Sequence, residues 1–564
     1  MKTLLKNGYV LNVFTDSVES ADVLIDDDKI IGVGNYSDED ADIVEDVCGK
    51  YITPGFIDGH IHIESTMLTP AELAKICLSC GTTTIIADPH EIANVCGRDG
   101  ISYMLEASKE IPLKVFITLP SCVPASPFDE SGANLYAGDL TDFYAQERVV
   151  GLAEMMNYPG VIFGDKDVHK KIADAKARGK VVDGHAPLLS GKSLDKYLSA
   201  GIRSDHECSN FEEAQEKLRK GQWIFVREGT AAHNLQALAP LFDAPYSYRC
   251  VLATDDRHPA DLLKEGHIDN IVRKASAMGK SVLSAIRMAT LQAAQYFSLP
   301  DMGAIAPGYK ADLLVLDDLA TVNICDVYVD GRCVVRAGKK VMIKRPDVGK
   351  YLDGVVRKSF LIDKLTADDF AILPEAKTCR VIQVRGGDLL TDEYLAEIDW
   401  EENNGIDVSR DILKLAVIER HGKSGNKGIG FVKGIGLKKG AIASSVSHDS
   451  HNLIVVGTNA EDMAIAANRI IQLGGGNVVV ADGQIAAEMP LPIAGLMSEK
   501  TAREVAAENE KVREAVKQLG VADDIEPFMN TAFVSLSVIP RLKMTPGGLV
   551  DVDKFERVSL FVKD

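Results

Sequence analysis

Over residues 3 to about 50 the chain reads as short strands: TLLKNGYVLN, then ADVLIDDDKIIGVG, where acidic residues between two apolar runs predict a hairpin turn. The same texture returns from residue 311 in ADLLVLDDL and DVYVDGRCVVRAGK. Between these flanks lie eight apolar runs: YITPGFIDGHIHI, TTTIIADPHE, LKVFITLPSCVP, VVGLAEMMN, GKVVDGHAP, GIRSDHE, QWIFVREG and RCVLATDDRHP. Helical patterns such as LTPAELAKICLSCG and DVHKKIADAKARGK separate them. Strand and helix in alternation imply a parallel sheet, and eight repeats imply a (β/α)8 barrel of about 250 residues. Beyond about 350, Gly-rich strand patterns alternate with two helices, AEDMAIAANRIIQLGGG and SEKTAREVAAENEKVREAVKQLG. For the second, Ser498 is the expected N-cap and Gly520 lies past the end. The expected fold class is therefore α/β. Residues 53–300 are expected to form a TIM-like barrel, 1–52 and 301–345 a small β-sandwich domain built from both flanks, and 350–564 a C-terminal α+β domain.

Composition narrows the function. A chain of 564 residues is too long for one ordinary domain, and 46% apolar with 26% charged residues is globular. A net charge of −20 lacks the basic face that nucleic-acid binding needs. The longest apolar stretches, NVVVA and PLPIAGLM, are too short for a bilayer, and the start lacks a small-residue cleavage site. Ten cysteines in so long a chain make no disulfide framework, and Cys77 and Cys80 read as helix packing. A cytoplasmic protein with neither nucleic-acid nor membrane partners is expected.

The chemistry lies where the barrel runs end. His60 and His62 sit one residue apart, and in an extended strand they share a side, with Glu64 following on it. The other runs end in Asp88 and His90, Glu154, His185, His206, Arg227 and Glu228, then Asp255 and Asp256. Any one of these could be an ordinary polar terminus; the series at one end of a barrel is improbable as packing. Four His, one Glu and one Asp supply nitrogen and oxygen donors without a thiolate, a set suited to Mn, Fe or Zn. Six donors exceed what one tetrahedral ion needs, so two divalent ions with a bridging carboxylate are the natural count.

His-x-His on the first run, single histidines on the fifth and sixth and an Asp on the eighth resemble the amidohydrolase superfamily. More specifically, GFIDGHIHIEST, ADPHEIANVCG, AEMMNYPGV, DGHAPLLSG, SDHE and ATDDRHP resemble the bacterial adenine deaminase family. The likeness continues through SHDSHNLIVVG and AEMPLPIAGLMS in the distal region. It implies hydrolysis of adenine to hypoxanthine and ammonia by a metal-activated hydroxide, in purine salvage. In the family pattern His60, His62 and Asp255 bind one ion, His185 and His206 the other, and Glu154 bridges them; a bridging lysine, frequent in the superfamily, is absent. Asp255 takes the place of the general base, and Glu64 could exchange a proton with a ring nitrogen. Asp88 and His90 could hold an accessory metal or orient the ligands. Arg227, Glu228, His448, Asp449 and His451 are candidates for substrate contact. Mn(II) or Fe(II) is the expected metal, with Zn(II) also compatible, and a homo-oligomer is expected.

Rival readings are another amidohydrolase, such as an amino-sugar N-deacetylase or a different nucleobase deaminase, and a scaffold that has lost its ligands. The complete set of six donors argues against the scaffold.

Overall fold

The computed structural model describes residues 1–230, 232–386, 390–401, 403–522 and 525–563. Its middle is a ring of eight parallel strands. These are β1 (Phe56–Ile61), β2 (Thr82–Ala87), β3 (Lys114–Leu119), β4 (Val149–Met155), β5 (Val181–Gly184), β6 (Ser204–Asp205), β7 (Trp223–Arg227) and β8 (Cys250–Ala253). β1 to β5 hydrogen-bond in sequence order as one curled sheet, and β6 to β8 as another. Two seams close the ring. Arg203 N donates to Val182 O at 2.9 Å between β5 and β6, and Asp255 N to His60 O at 2.9 Å between β8 and β1. At both seams a glycine permits the approach: a Cβ on Gly184 would overlap the Ser204 carbonyl, and one on Gly59 would overlap Val251. β1, β2 and β4 are buried along their whole length, which is why they read as continuous apolar runs rather than alternating ones. Ile57, Ile86, Val150, Phe225 and Val251 fill the ring, with Tyr296 and Phe297 packed against them.

The two flanks share one nine-stranded sheet, in which Tyr51–Pro54 pairs parallel with Lys2–Asn12 and antiparallel with Leu313–Leu316. Residues 51–54 run straight into β1, so this sheet fixes the start of the barrel.

The distal region holds an eight-stranded sheet and a separate three-stranded one over residues 542–557. Its strand Leu413–Ile418 is buried on both faces. Ala416 and Ile418 pack under the helix Ala460–Leu473, while Leu413, Leu415 and Val417 belong to the same apolar core as the barrel. The distal sheet is therefore packed onto the barrel. Polar contacts add to this: Ser498 N to Met67 O at 2.8 Å, Asn452 Nδ2 to Glu130 O at 2.8 Å, and Lys423 Nζ to Ser131 O at 3.1 Å.

Ser498 is not the helix cap. The helix runs Ala502–Gln518, and Thr501 caps it in a reciprocal box with Glu504, which satisfies two backbone donors that Ser498, four residues from the helix start, cannot reach. Gly520 lies just past the end with φ +104°. Cys77 is buried in the helix Pro70–Ser79, and both it and Cys80 are free thiols. Among the described residues no helix is long and apolar enough to cross a membrane.

Candidate functional site

The parallel strands deliver their carboxyl ends to one mouth, and the polar residues gather there. His60, on β1, and His62, just past it, bring their Nε2 atoms within 3.1 Å of each other. Glu154, on β4, lies between the two groups of histidines. Its Oε2 meets His185 Nδ1 at 2.7 Å and His206 Nε2 at 3.1 Å, and its Oε1 meets His62 Nε2 at 3.3 Å. Asp255 Oδ1 faces His60 Nε2 at 3.3 Å, His62 Nε2 at 3.4 Å and His206 Nε2 at 3.8 Å. His60, Glu154 and Asp255 are 2, 3 and 4% exposed, so water does not screen them. Burial by itself would push both carboxyls up. At Glu154 it is outweighed by His206 and His185, and at Asp255 by Arg227 and His60, so both are held well below the usual range.

The donor chemistry fits cations. Two imidazole nitrogens 3.1 Å apart cannot both present lone pairs to each other without a positive charge between or beside them. Three overlapping groups could each hold an ion: His60, His62 and Asp255; His60, Glu154 and His206; and His185, His206 and Glu207. A fourth joins His62 and Glu154 to Asp88 and His90. In it His90 Nδ1 meets Asp88 Oδ2 at 3.1 Å, while the Asp88 backbone oxygen lies 3.1 Å from His62 Nδ1 and fixes that ring.

Other expected residues lie differently. β1 ends at Ile61 and Glu64 opens a one-turn 3-10 helix, so the strand periodicity that put Glu64 beside His62 stops short of it. Glu64 Oε1 accepts from Ile92 N at 3.2 Å, and Oε2 has no partner among the described residues. Burial, reinforced by Glu91, pushes its carboxyl up to about 8. Arg227 points inward, with its two terminal nitrogens engaged by Glu207 and by Asp255 Oδ2 at 2.9 Å, while its Nε has no partner among the described residues. Glu228, its neighbour on the strand, turns the other way to Lys274 at 2.9 Å and His233, outside the cluster.

His448, Asp449 and His451 reach the mouth from the distal domain. Asp449 Oδ1 is 3.9 Å from His90 Nε2, and His451 Nε2 is 3.5 Å from Glu91 Oε2. Glu207 and Glu91 went unread in the sequence. Both stand one residue after a strand-end histidine, in SDHE and DPHE, and that adjacency was the available signal.

The amidohydrolase family model matches residues 51–335, and the model of the adenine deaminase C-terminal domain matches 388–556. Adenine deaminase 2 of Carboxydothermus hydrogenoformans is 45% identical over 558 residues, covering 99% of this chain and 96% of the relative. The adenine deaminase of Clostridium acetobutylicum is 46% identical over 559 residues, at 98% and 96% coverage. Among solved structures, enamidase superposes with a TM-score of 0.47 at 18% identity, over 61% of this chain and 99% of that one.

Proposed function

The chain belongs to the adenine deaminase family of the amidohydrolases, and from that premise we propose that it hydrolyses adenine to hypoxanthine and ammonia, a purine-salvage reaction. The observation that carries this reading is the convergence of four histidines, Glu154 and Asp255 on one buried centre at the barrel mouth. In this reading His60, His62 and Asp255 hold one divalent ion and His185 and His206 another, with Glu154 shared between them. The borderline donor set suits Mn(II) or Fe(II), and tolerates Zn(II). Such ions, when bound, acidify water so that hydroxide is available near pH 7.

The chain's own residues then handle the protons. Asp255, kept ionised by Arg227, takes the proton of the attacking water as the oxygen bonds to C6. It returns that proton to the exocyclic nitrogen as the C–N bond breaks and ammonia leaves. Glu64, whose carboxyl burial and Glu91 push up to about 8, donates to a purine ring nitrogen while negative charge builds on the ring, and it regains a proton as the C6 hydroxyl gives up its own to become the carbonyl. Arg227 acts as a positioning residue for Asp255. Asp88 orients His62, and Asp88 with His90 forms the accessory group. His448, Asp449 and His451 close the substrate space from the distal side. The chain works on a small molecule in the cytoplasm as a homo-oligomer.

The test is metal-loaded protein assayed for ammonia from adenine, adenosine, guanine and cytosine, and for acetate from an N-acetyl amino sugar. Release from adenine alone is expected; release from none of the nucleobases overturns the reading.

A further inference from the structure

The Ser447–His451 turn carries a histidine whose tautomer is fixed by the backbone. Ser447 N–H points at His451 Nδ1 at 3.2 Å. A backbone amide can only donate, so Nδ1 must keep its lone pair, and the ring proton of a neutral imidazole is confined to Nε2. Burial, helped by His448 and Arg420, lowers the affinity of this ring for a second proton. His451 is fully buried, yet among the described residues its Nε2 has no hydrogen-bond partner, since Glu91 Oε2 at 3.5 Å is too far.

The turn is held from several sides. His451 N donates to Ser447 O at 2.7 Å, and φ at His451 is +50°. Arg420, itself fully buried, donates through Nε to His451 O, through Nη1 to Ser359 Oγ at 3.1 Å and through Nη2 to Ala494 O at 2.8 Å. His421 Nε2 meets Ser450 O at 3.0 Å. A buried donor left unpaired costs free energy, so such clamping of one calls for a bound acceptor.

Glu91, His448 and His451 lie close enough together to hold a metal ion. The tautomer argues against it. A ligand nitrogen needs a lone pair, and with Nδ1 already accepting, Nε2 could offer one only as an imidazolate.

We propose that His451 Nε2–H is a specificity-determining donor that recognises a lone-pair ring nitrogen of the purine. This rests on the adenine reading above. Adenine has no oxygen, and its acceptors in the ring plane are ring nitrogens. A donor that cannot switch to an acceptor meets such a nitrogen well and meets a ring N–H badly. It therefore rejects purines protonated at the facing position, where two buried donors would oppose each other.

The test uses the holoenzyme, His451→Phe and His451→Gln at matched metal content, with adenine and its 1-deaza, 3-deaza and 7-deaza analogues. Each combination is read both as kcat/KM and as a dissociation constant by calorimetry. His451→Phe is expected to lose about 10- to 100-fold on adenine, the cost of one unpaired buried group. One deaza analogue should lose a similar factor in the wild type and nothing further in His451→Phe, because donor and acceptor belong to one bond. His451→Gln, whose amide restores an N–H at similar reach, should recover part of the loss and of the coupling. Independent losses for all three analogues, or unchanged adenine binding in His451→Phe, would overturn the proposal. Loss of a metal equivalent in His451→Phe would overturn it in favour of a ligand role. Wild type that binds adenine without releasing ammonia would sink only the deaminase reading, since the dissociation constants still decide His451. Wild type that fails to bind adenine would sink both.

Discussion

Asp255 and Glu154 share one centre, and their neighbours set them different tasks. Asp255 has one oxygen on Arg227 and the other toward the histidines, so Asp255→Asn keeps the shape and removes the proton acceptor. Turnover should fall by about 100- to 10,000-fold, the usual contribution of a general base, with circular dichroism unchanged. Near-normal turnover would sink the assignment. Glu154 touches His62, His185 and His206, so Glu154→Gln deletes a charge shared by both halves of the centre. Metal retained after dialysis against a chelator should drop more in this variant than in Asp255→Asn; equal retention would count against a bridging role. At this scale the strand-end residues were legible because period-two spacing and strand termini are local features. Glu64 was misplaced because no pattern in HIHIEST marks where the strand gives way to a turn. The pairing of Arg227 with Glu207 spans strands β7 and β6 and leaves no trace in either segment.

At the scale of elements, the barrel depends on its two seams. Gly184→Ala places a methyl against the Ser204 carbonyl, and backbone cannot step aside as a side chain can. Overpacking of this kind costs about 1–3 kcal/mol. It also parts β5 from β6, which carry His185 and His206 at their ends. A lower thermal midpoint together with weaker metal binding is expected, measured by calorimetry and metal analysis; an unchanged midpoint would mean the seam relaxes freely. The barrel strands were readable as elements because apolar runs between helical patterns leave few alternatives. The helix cap was not: SEKT offers both Ser498 and Thr501, and what selects Thr501 is Glu504 reaching back to its backbone nitrogen. The strand at 413–418 gives no alternation because two different partners, a helix and the barrel core, cover its faces.

At the scale of the whole molecule, the loop after β3 is where the barrel meets the distal domain. Asp129 Oδ1 accepts from Ser537 Oγ at 2.8 Å, Ser126 N lies 3.1 Å from its Oδ2, and Glu130 holds Ser424 and Asn426. Burial at this junction pushes the Asp129 carboxyl from 3.8 up to about 7; the two serines oppose the rise, and Asp449 across the junction adds to it. A raised folded-state pKa means the folded protein binds this proton more tightly than the unfolded chain. The stabilising contribution is therefore complete below about pH 4 and is lost progressively as pH rises to about 7, at about 1.4 kcal/mol per unit. Above that window the loss is constant. Asp129→Asn cannot ionise, so its thermal midpoint relative to wild type should rise between pH 5 and pH 8 by several degrees. Any fixed cost of the amide beside Ser126 N cancels in that comparison, as does the pH response of the rest of a chain with net charge −20. A midpoint difference that stays flat from pH 5 to 8 would show that Asp129 is already ionised in the folded protein. If instead the difference grows with pH, the grip of the distal domain on the barrel, and with it the position of His448, Asp449 and His451 over the mouth, weakens as Asp129 gains its charge opposite Asp449.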